Sequence, residues 1–301
     1  GNAVIAKPAE QTCLIAERCT RLLHQAGIPT AALQLLPGDG GVGAMLVAAD
    51  TTAGVAFTGS FATAKAIERT LAARDGPIAP LIAETGGQNA MIVDSSALTE
   101  QVVADVVTSA FRSAGQRCSA LRVLFVQREI AARIERSLAG AMDELVIGDP
   151  RLLATDVGPV IDEAAAAVLR SHDARMQREA RLIHRCILPA ACTDGTFVAP
   201  AAFAIDRLDQ LTEEVFGPIL HLIAYDHDRL EDVFTAIDAT GCGLTLGIHS
   251  RIDSFIERVR HRLHVGNVYV NRGIIGAVVG AQPFGGEGRS GTGPKAGGPW
   301  Y

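Results

Sequence analysis

Short apolar runs alternate with helix-length amphipathic segments along most of this chain, and that alternation constrains the fold more than any other feature. Residues 4–6, 33–36, 54–57 and 80–83 read as strands. Residues 12–26 place Leu14, Ile15, Leu22 and Leu23 at helical spacing and stop at Gly27-Ile28-Pro29, and a second helix runs from Ser60 to about Ala73. From Asn89 the pattern restarts, with strands at 90–93, 121–126, 220–225, 244–249 and 265–270. Helices at 99–111, 129–144, 163–178, 230–239 and 252–262 complete this second series. Strand and helix in alternation imply a parallel sheet with crossover helices, an α/β nucleotide-binding architecture.

At 301 residues the chain is long enough for two domains, and 48% hydrophobic with 20% charged residues suits a soluble α/β protein. The net charge of −6 argues against nucleic acid and anionic membranes as partners. No apolar run approaches the roughly 20 residues that span a bilayer, and no basic segment precedes an apolar core as in a signal peptide. The opening Gly1-Asn2-Ala3-Val4 lacks an initiator Met and starts as if in mid-strand, so a piece of a longer chain is expected. The six cysteines (13, 19, 118, 186, 192 and 242) form no CxxC, which fits a reducing cytoplasm. His184, Cys186 and Cys192 match no common zinc spacing, so no metal is expected.

The segment 113–122, Ser-Ala-Gly-Gln-Arg-Cys-Ser-Ala-Leu-Arg, sets Cys118 in a polar loop between apolar segments. Upstream, Glu84 follows Leu81-Ile82-Ala83 and precedes Thr85-Gly86-Gly87. Acyl chemistry through a thioester needs a nucleophile and a carboxylate base, each here expected in its own loop. Read blandly, Cys118 is a buried structural thiol and Glu84 a solvated carboxylate. Residues 38–43 match GxGxxG after a strand, but Pro37 precedes them, the next helix (44–49) is short, and no acidic residue follows in place. Phe57-Thr58-Gly59-Ser60 is the better phosphate site, because a helix begins at its end; Ser60 also reads as an ordinary N-cap. Lys7 and Glu10 stand at the carboxyl end of a strand, where open α/β sheets bind ligands. They could hold adenosine ribose hydroxyls, and the acidic residue would favour NAD over NADP. Glu213-Glu214-Val215-Phe216-Gly217-Pro218 sets a carboxylate and a ring beside a turn, suited to a nicotinamide ribose. The tail, residues 273–301, contains ten glycines. The apolar Val278, Val279, Pro283 and Phe284 argue for an ordered loop lining a site rather than a disordered end.

Together, Lys7-Pro-Ala-Glu10, Phe57-Thr-Gly-Ser60, Glu84-Thr-Gly-Gly87, Gly115-Gln-Arg-Cys118, Glu214-Val-Phe216-Gly-Pro and Pro283-Phe-Gly-Gly286 resemble the aldehyde dehydrogenase superfamily, in matching order. The separation 118 − 84 = 34 is also the family's interval between base and nucleophile. The resemblance implies that Cys118 is the nucleophile, Glu84 the base, and Lys7, Glu10, Gly59, Ser60, Glu214 and Phe216 the NAD contacts. It implies a Rossmann-like parallel-sheet NAD-binding domain over 1–86, incomplete at its N-terminus. A catalytic α/β domain over 87–288 follows, and a tail over 289–301 returns toward the NAD-binding and oligomerisation region. Within the superfamily, Ser119-Ala-Leu-Arg122 and the run from Gly276 to Gly298 are most similar to L-glutamate-γ-semialdehyde (Δ1-pyrroline-5-carboxylate) dehydrogenases, in particular the C-terminal half of bacterial bifunctional proline utilisation proteins. That similarity implies an anchor for the substrate's α-carboxylate and α-amino ends at Ser119, Gly276 and Ala277, with Phe284 on the aliphatic stem. Backbone N–H groups at Gly276 and Ala277 suit a carboxylate nest. The implied partners are L-glutamate-γ-semialdehyde and an upstream proline dehydrogenase domain, in a protein that forms homo-oligomers.

Full-length members also carry an N-terminal portion with the first strand of the cofactor sheet and an asparagine facing the thiohemiacetal oxyanion, neither of which is in this sequence. Losing such a donor typically costs about 10²–10³ in kcat. Two alternatives stand beside the leading reading: a succinate-semialdehyde type of dehydrogenase, and a catalytically impaired fragment that only binds NAD or a partner.

Overall fold

The computed structural model describes residues 2–278 and 280–299. In chain order the elements are β1 (Val4–Ala6), α1 (Cys13–Gln25), β2 (Leu33–Leu35), α2 (Gly40–Ala48), β3 (Val55–Gly59), α3 (Phe61–Ala72) and β4 (Leu81–Thr85). They continue as β5 (Ala90–Val93), α4 (Thr99–Phe111), β6 (Val123–Gln127), α5 (Arg128–Asp143), α6 (Glu163–Glu179), β7 (Arg181–Arg185), β8 (Ala201–Ala204) and β9 (Ile219–Tyr225). The last are α7 (Leu230–Ala239), β10 (Cys242–Gly243), β11 (Thr245–His249), α8 (Asp253–Arg262), β12 (Asn267–Val270) and β13 (Glu287–Gly288). Packing divides the chain into two compact units, residues 1–56 with 62–81 and residues 57–61 with 82–301.

In the first unit β1 pairs in parallel with β2, Val4 opposite Leu33 and Ala6 opposite Leu35. Helix α1 stops where expected. Gly27 takes φ +102° and its N–H returns to the His24 carbonyl at 3.0 Å, the C-terminal glycine stop before Pro29. The apolar residues that announced α1 are nonetheless exposed, Leu14 at 90%. Helical periodicity marks an amphipathic face and says nothing about what covers it. The glycine-rich stretch differs from the sequence reading. Helix α2 begins at Gly40 rather than at 44, because the Asp39 carboxylate accepts the N–H groups of Gly41 (2.9 Å) and Val42 (3.1 Å). Those first-turn donors are therefore already occupied.

The second unit is built on a seven-stranded sheet in the order β12-β11-β5-β6-β9-β8-β7. Every pairing is parallel except β7 with β8. The central strands are continuous apolar runs buried on both faces (Ala90 to Val93, Val123 to Val126), as a helix-covered parallel sheet requires. Helix α4 contributes Val102, Val103, Val106, Ala110 and Phe111 to the same core. The sequence offered no strand over 181–204, where the structure has β7 and β8. β7 is a polar edge strand, Arg-Leu-Ile-His-Arg, with a pairing irregularity between Leu182 and His184, so it lacks the buried apolar run that identifies its neighbours. The described residues of the glycine-rich tail pack within this unit. β13 pairs antiparallel with β10, and Thr292 exchanges hydrogen bonds with Ala83. Among the described residues, no helix is long and apolar enough to cross a membrane.

Candidate active site

The Cys118 turn stands at the amino-terminal end of β6, and its shape begins in the backbone. Ser113, Ala114 and Gly115 all lie in the left-handed region (φ 55°, 51° and 65°). A Cβ on Gly115 would fall 2.1 Å from the Gly217 carbonyl oxygen, so only glycine permits this approach of two chain segments. Cys118 follows in a tight turn closed by the Ala120 N–H on the Arg117 carbonyl at 3.0 Å. Asn89, just before β5, holds that turn from behind. Its Nδ2 donates to the carbonyls of Cys118 (2.6 Å) and Ala120 (2.9 Å), and its Oδ1 accepts the Thr245 N–H at 3.2 Å. Thr245 Oγ1 donates in turn to the Ser119 carbonyl at 3.2 Å.

Arg122 is the fully buried charge at the centre of this arrangement, 1% exposed. Its Nη1 donates to the carbonyls of Gly115 (2.7 Å) and Gly217 (3.3 Å), and its Nη2 to that of Arg117 (3.1 Å). Nη2 and Nε also reach Glu214 Oε1 at 3.0 and 3.3 Å, and the guanidinium stands 5.0 Å over the Phe216 ring. One side chain thus ties the Cys118 turn to the 214–217 loop through a charge-assisted fork. Beside them opens a largely apolar groove of about 590 Å³, lined in part by Ser113, Gln116, Val168, Leu169, Glu214 and Phe216.

Glu84 was expected in a loop; it lies inside β4, next to that strand's last residue. Its Oε2 accepts the Gly286 N–H at 2.9 Å, while Oε1 is buried and has no hydrogen-bond partner among the described residues. A Cβ on Gly285 or Gly291 would stand 2.9 or 3.0 Å from that oxygen, so both glycines leave it room. Burial pushes the Glu84 carboxyl above its ordinary range, opposed by the Gly286 N–H. Farther along, Gly86 packs on Glu214 and the Gly87 N–H donates to the Glu214 carboxylate. Burial raises the Glu214 carboxyl too, against the pull of Arg122. Sequence, strand and carboxylates therefore meet at one place.

Cys118 is half-buried, and desolvation pushes its thiol upward; the nearby charges of Glu214 and Glu84 push the same way, against the Ser119 N–H. A raised pKa leaves the thiol protonated at neutral pH. Alkylation of Cys118 by iodoacetamide, read on the Cys118 peptide by mass spectrometry, is expected to rise with a midpoint above the ordinary cysteine value of about 8.5. A midpoint below 8 would contradict this environment.

The remaining expected residues divide as follows. Ser119 is buried within the turn, and Phe216 shows a half-open ring at 44% exposure. Gly276 is exposed, with φ +94° and open space where a Cβ would stand, and Ala277 is half-buried. Phe284 is half-buried and bridges Ala296 through hydrogen bonds of 3.0 and 2.8 Å. Two apolar tail residues expected to be buried are not: Val278 is 61% exposed and Pro283 is exposed, while Val279 lies outside the described residues. Gly59 and Ser60 immediately precede α3. Lys7 and Glu10 belong to the first unit, where Lys7 Nζ donates to the carbonyls of Pro8 and Gly38, both at 2.9 Å, and Glu10 is exposed. Cys186 and Cys192 turn their sulfurs to the carbonyls of Met142 and Ile147, and among the described residues no cluster of three metal-ligating side chains occurs.

Asn89 and Arg122 are supporting residues to which motif reading gave no role, although Arg122 stood within a quoted motif. Each carried a signal: a polar or charged residue flanking a run destined for the core must be partnered there.

The model of the aldehyde dehydrogenase family matches residues 1–301. Bifunctional protein PutA of Escherichia coli K12 is 53% identical over 310 residues, covering 100% of this chain and 24% of that protein. A crystal structure of a bifunctional proline utilization A protein superposes with TM-score 0.97 at 61% identity, covering 100% of this chain and 30% of the other. The 1-pyrroline-5-carboxylate dehydrogenase from Thermus, solved with bound NAD, gives TM-score 0.91 at 33% identity, covering 99% and 58%. This chain therefore spans about a quarter of the PutA protein that it matches.

Proposed function

We propose a function from one premise: the chain belongs to the aldehyde dehydrogenase family. It oxidises L-glutamate-γ-semialdehyde, the open form of Δ1-pyrroline-5-carboxylate, to L-glutamate with NAD. The pyrroline comes from a proline dehydrogenase domain of the same parent protein, which assembles as a homo-oligomer. Relatives named PutA and 1-pyrroline-5-carboxylate dehydrogenase support this substrate. The observation that carries the chemistry is the buried, unpartnered Oε1 of Glu84, in a site whose thiol feels that carboxylate's charge.

Cys118 supplies the nucleophile. The thiol first gives up its proton to solvent; the thiolate then bonds the aldehyde carbon and the carbonyl π pair moves to oxygen, giving a thiohemiacetal oxyanion. When bound, NAD supplies the acceptor for the hydride that leaves this carbon as the thioester forms. Glu84 Oε1 then takes a proton from water, whose oxygen adds to the thioester carbon; the C–S bond breaks, releasing glutamate and the Cys118 thiolate. Each unit, taken by itself, carries residues of a kind that suits part of NAD. Helix α3 opens directly after Gly59 and Ser60, and the positive end of its dipole suits a phosphate. Glu214 and the half-open Phe216 ring suit the nicotinamide ribose, and Lys7 and Glu10 the adenosine ribose. Ser119, Gly276 and Ala277 hold the amino-acid end of the substrate, with Phe284 on its stem.

Two measurements test this reading. NADH production should favour glutamate semialdehyde over succinate semialdehyde, and the reverse preference would overturn the anchor assignment. Glu84→Gln keeps an acceptor for the Gly286 N–H but removes the base. It should give a burst of about one NADH per active site followed by turnover slowed about 10²–10⁴-fold. An unchanged steady state would remove Glu84 from the hydrolytic step.

A further inference from the structure

We propose that Ser109 of α4 is a positioning residue that fixes the distance between the Cys118 thiol and the Gly276 and Ala277 loop, and so the chain length of the aldehyde accepted. The inference rests on the reading of those two loops given above. Ser109 is fully buried, and its two oxygens serve two different loops. Its carbonyl, in the last turn of α4, accepts the Leu121 N–H at 3.0 Å, three residues beyond Cys118. Its Oγ accepts the Ile274 N–H at 3.0 Å, two residues before Gly276. Ile274 is itself fully buried, and a Cβ on Gly273 would stand 3.2 Å from Ser109 Oγ, so the loop lies directly on the hydroxyl.

The rest of α4 shows how the loop arrives there. The segment after β12 leaves the sheet at its carboxyl end, whereas the Cys118 turn stands at the amino end of β6. Helix α4 connects β5 to β6 and so runs back between these two ends. Gln101, Asp105 and Ser109, four residues apart, share one face of it. Gln101 Nε2 donates to the Asn271 carbonyl at 2.7 Å. Asp105 Oδ2 stands 3.5 Å from Nε2 of His249, whose ring is hydrogen-bonded to the Arg272 main chain. Asn271, at φ 52°, is clamped by its side chain to both backbone groups of Ser250 (3.0 and 2.9 Å). Residues 271–274 are thus laid along about 12 Å of helix and handed to Ser109 at the nucleophile end. A serine in a helix interior has little local reason to be there; here it joins the part of the chain that reacts to the part that measures.

The test compares three L-2-amino aldehydes, glutamate semialdehyde and its homologues one carbon shorter and one longer, in the full chain carrying Ser109→Ala. The kcat/KM for glutamate semialdehyde should fall about 10–10²-fold, mainly through KM. Its advantage over the other two lengths should shrink about tenfold, while the iodoacetamide rate of Cys118 stays within about twofold. Equal loss at all three lengths, or a changed alkylation rate with unchanged length preference, would show a merely structural serine and overturn the proposal. If Ser109→Ala does not fold, Gln101→Leu, at an exposed site on the same face, should shift the preference in the same direction, and an unshifted preference overturns the proposal. Unmodified chain that alkylates normally but oxidises none of the three aldehydes would overturn the functional reading, and this inference with it. Turnover with unaltered preference in the variants would overturn this inference alone.

Discussion

Replacing Cys118 with alanine is expected to cut NADH production from L-glutamate-γ-semialdehyde by about 10⁴-fold or more, because every later step acts on the bond this sulfur makes. The fold should survive. The turn is held through main-chain carbonyls, those of Cys118 and Ala120 by Asn89 and that of Arg117 by Arg122, and none of these contacts uses the thiol. The melting temperature should therefore shift by no more than about 3 °C. The informative control is Cys242, the half-buried thiol that packs against Gly87 beyond the base strand. Its sulfur turns to the Thr240 carbonyl at 3.7 Å, so Cys242→Ala should keep turnover within about threefold. Loss of turnover in Cys242→Ala with retention in Cys118→Ala would reassign the nucleophile.

What the sequence made legible, and what it hid, follows from how far apart the interacting residues lie. Cys118 and Glu84 stood out as candidates because each sits in a short, compositionally unusual stretch. The helices over 99–111 and 230–239 coincide with α4 and α7 because long amphipathic periods are local signals. Placing Glu84 in a loop was wrong because Thr85-Gly86-Gly87 reads as a breaker, yet Thr85 still pairs: its N–H donates to the Ser290 carbonyl at 2.9 Å. That partner is about two hundred residues away, beyond any local pattern. Gly40 and Gly41 are the opposite case: they read as loop, although the Asp39 cap that starts α2 there is a next-door neighbour. Arg122 is the clearest case. Its partners at 115, 117, 214 and 217 bracket it from both directions, and a run of apolar letters around one arginine cannot show which distant loop will neutralise it.

That arginine supports the second large expectation. Arg122→Met should destabilise the chain by about 3–5 kcal/mol at pH 7, measured as the shift of a denaturant midpoint, since it leaves the half-buried Glu214 carboxylate without its charge partner and three carbonyls without the guanidinium donor. The pH dependence gives the signature that separates loss of a charge partner from loss of packing. In the native chain burial already raises the Glu214 carboxyl above its ordinary value, and Arg122 holds it down. Without the guanidinium the folded pKa rises further, so the folded state keeps a proton that the unfolded state has released. Stability then falls as pH rises from about 4.5 toward the raised folded value. The deficit of Arg122→Met should accordingly be smaller at pH 4 than at pH 7, and Glu214→Gln in the same chain should recover part of it. A deficit independent of pH, or one that Glu214→Gln leaves untouched, would mean that Arg122 acts by filling space. If the pH dependence holds, turnover per folded molecule should fall about 10²-fold as well, because the bonds lost from Gly115, Arg117 and Gly217 are those that hold the thiol's turn against the 214–217 loop. Stability and rate then fail together, since the same five N–H···O contacts maintain both.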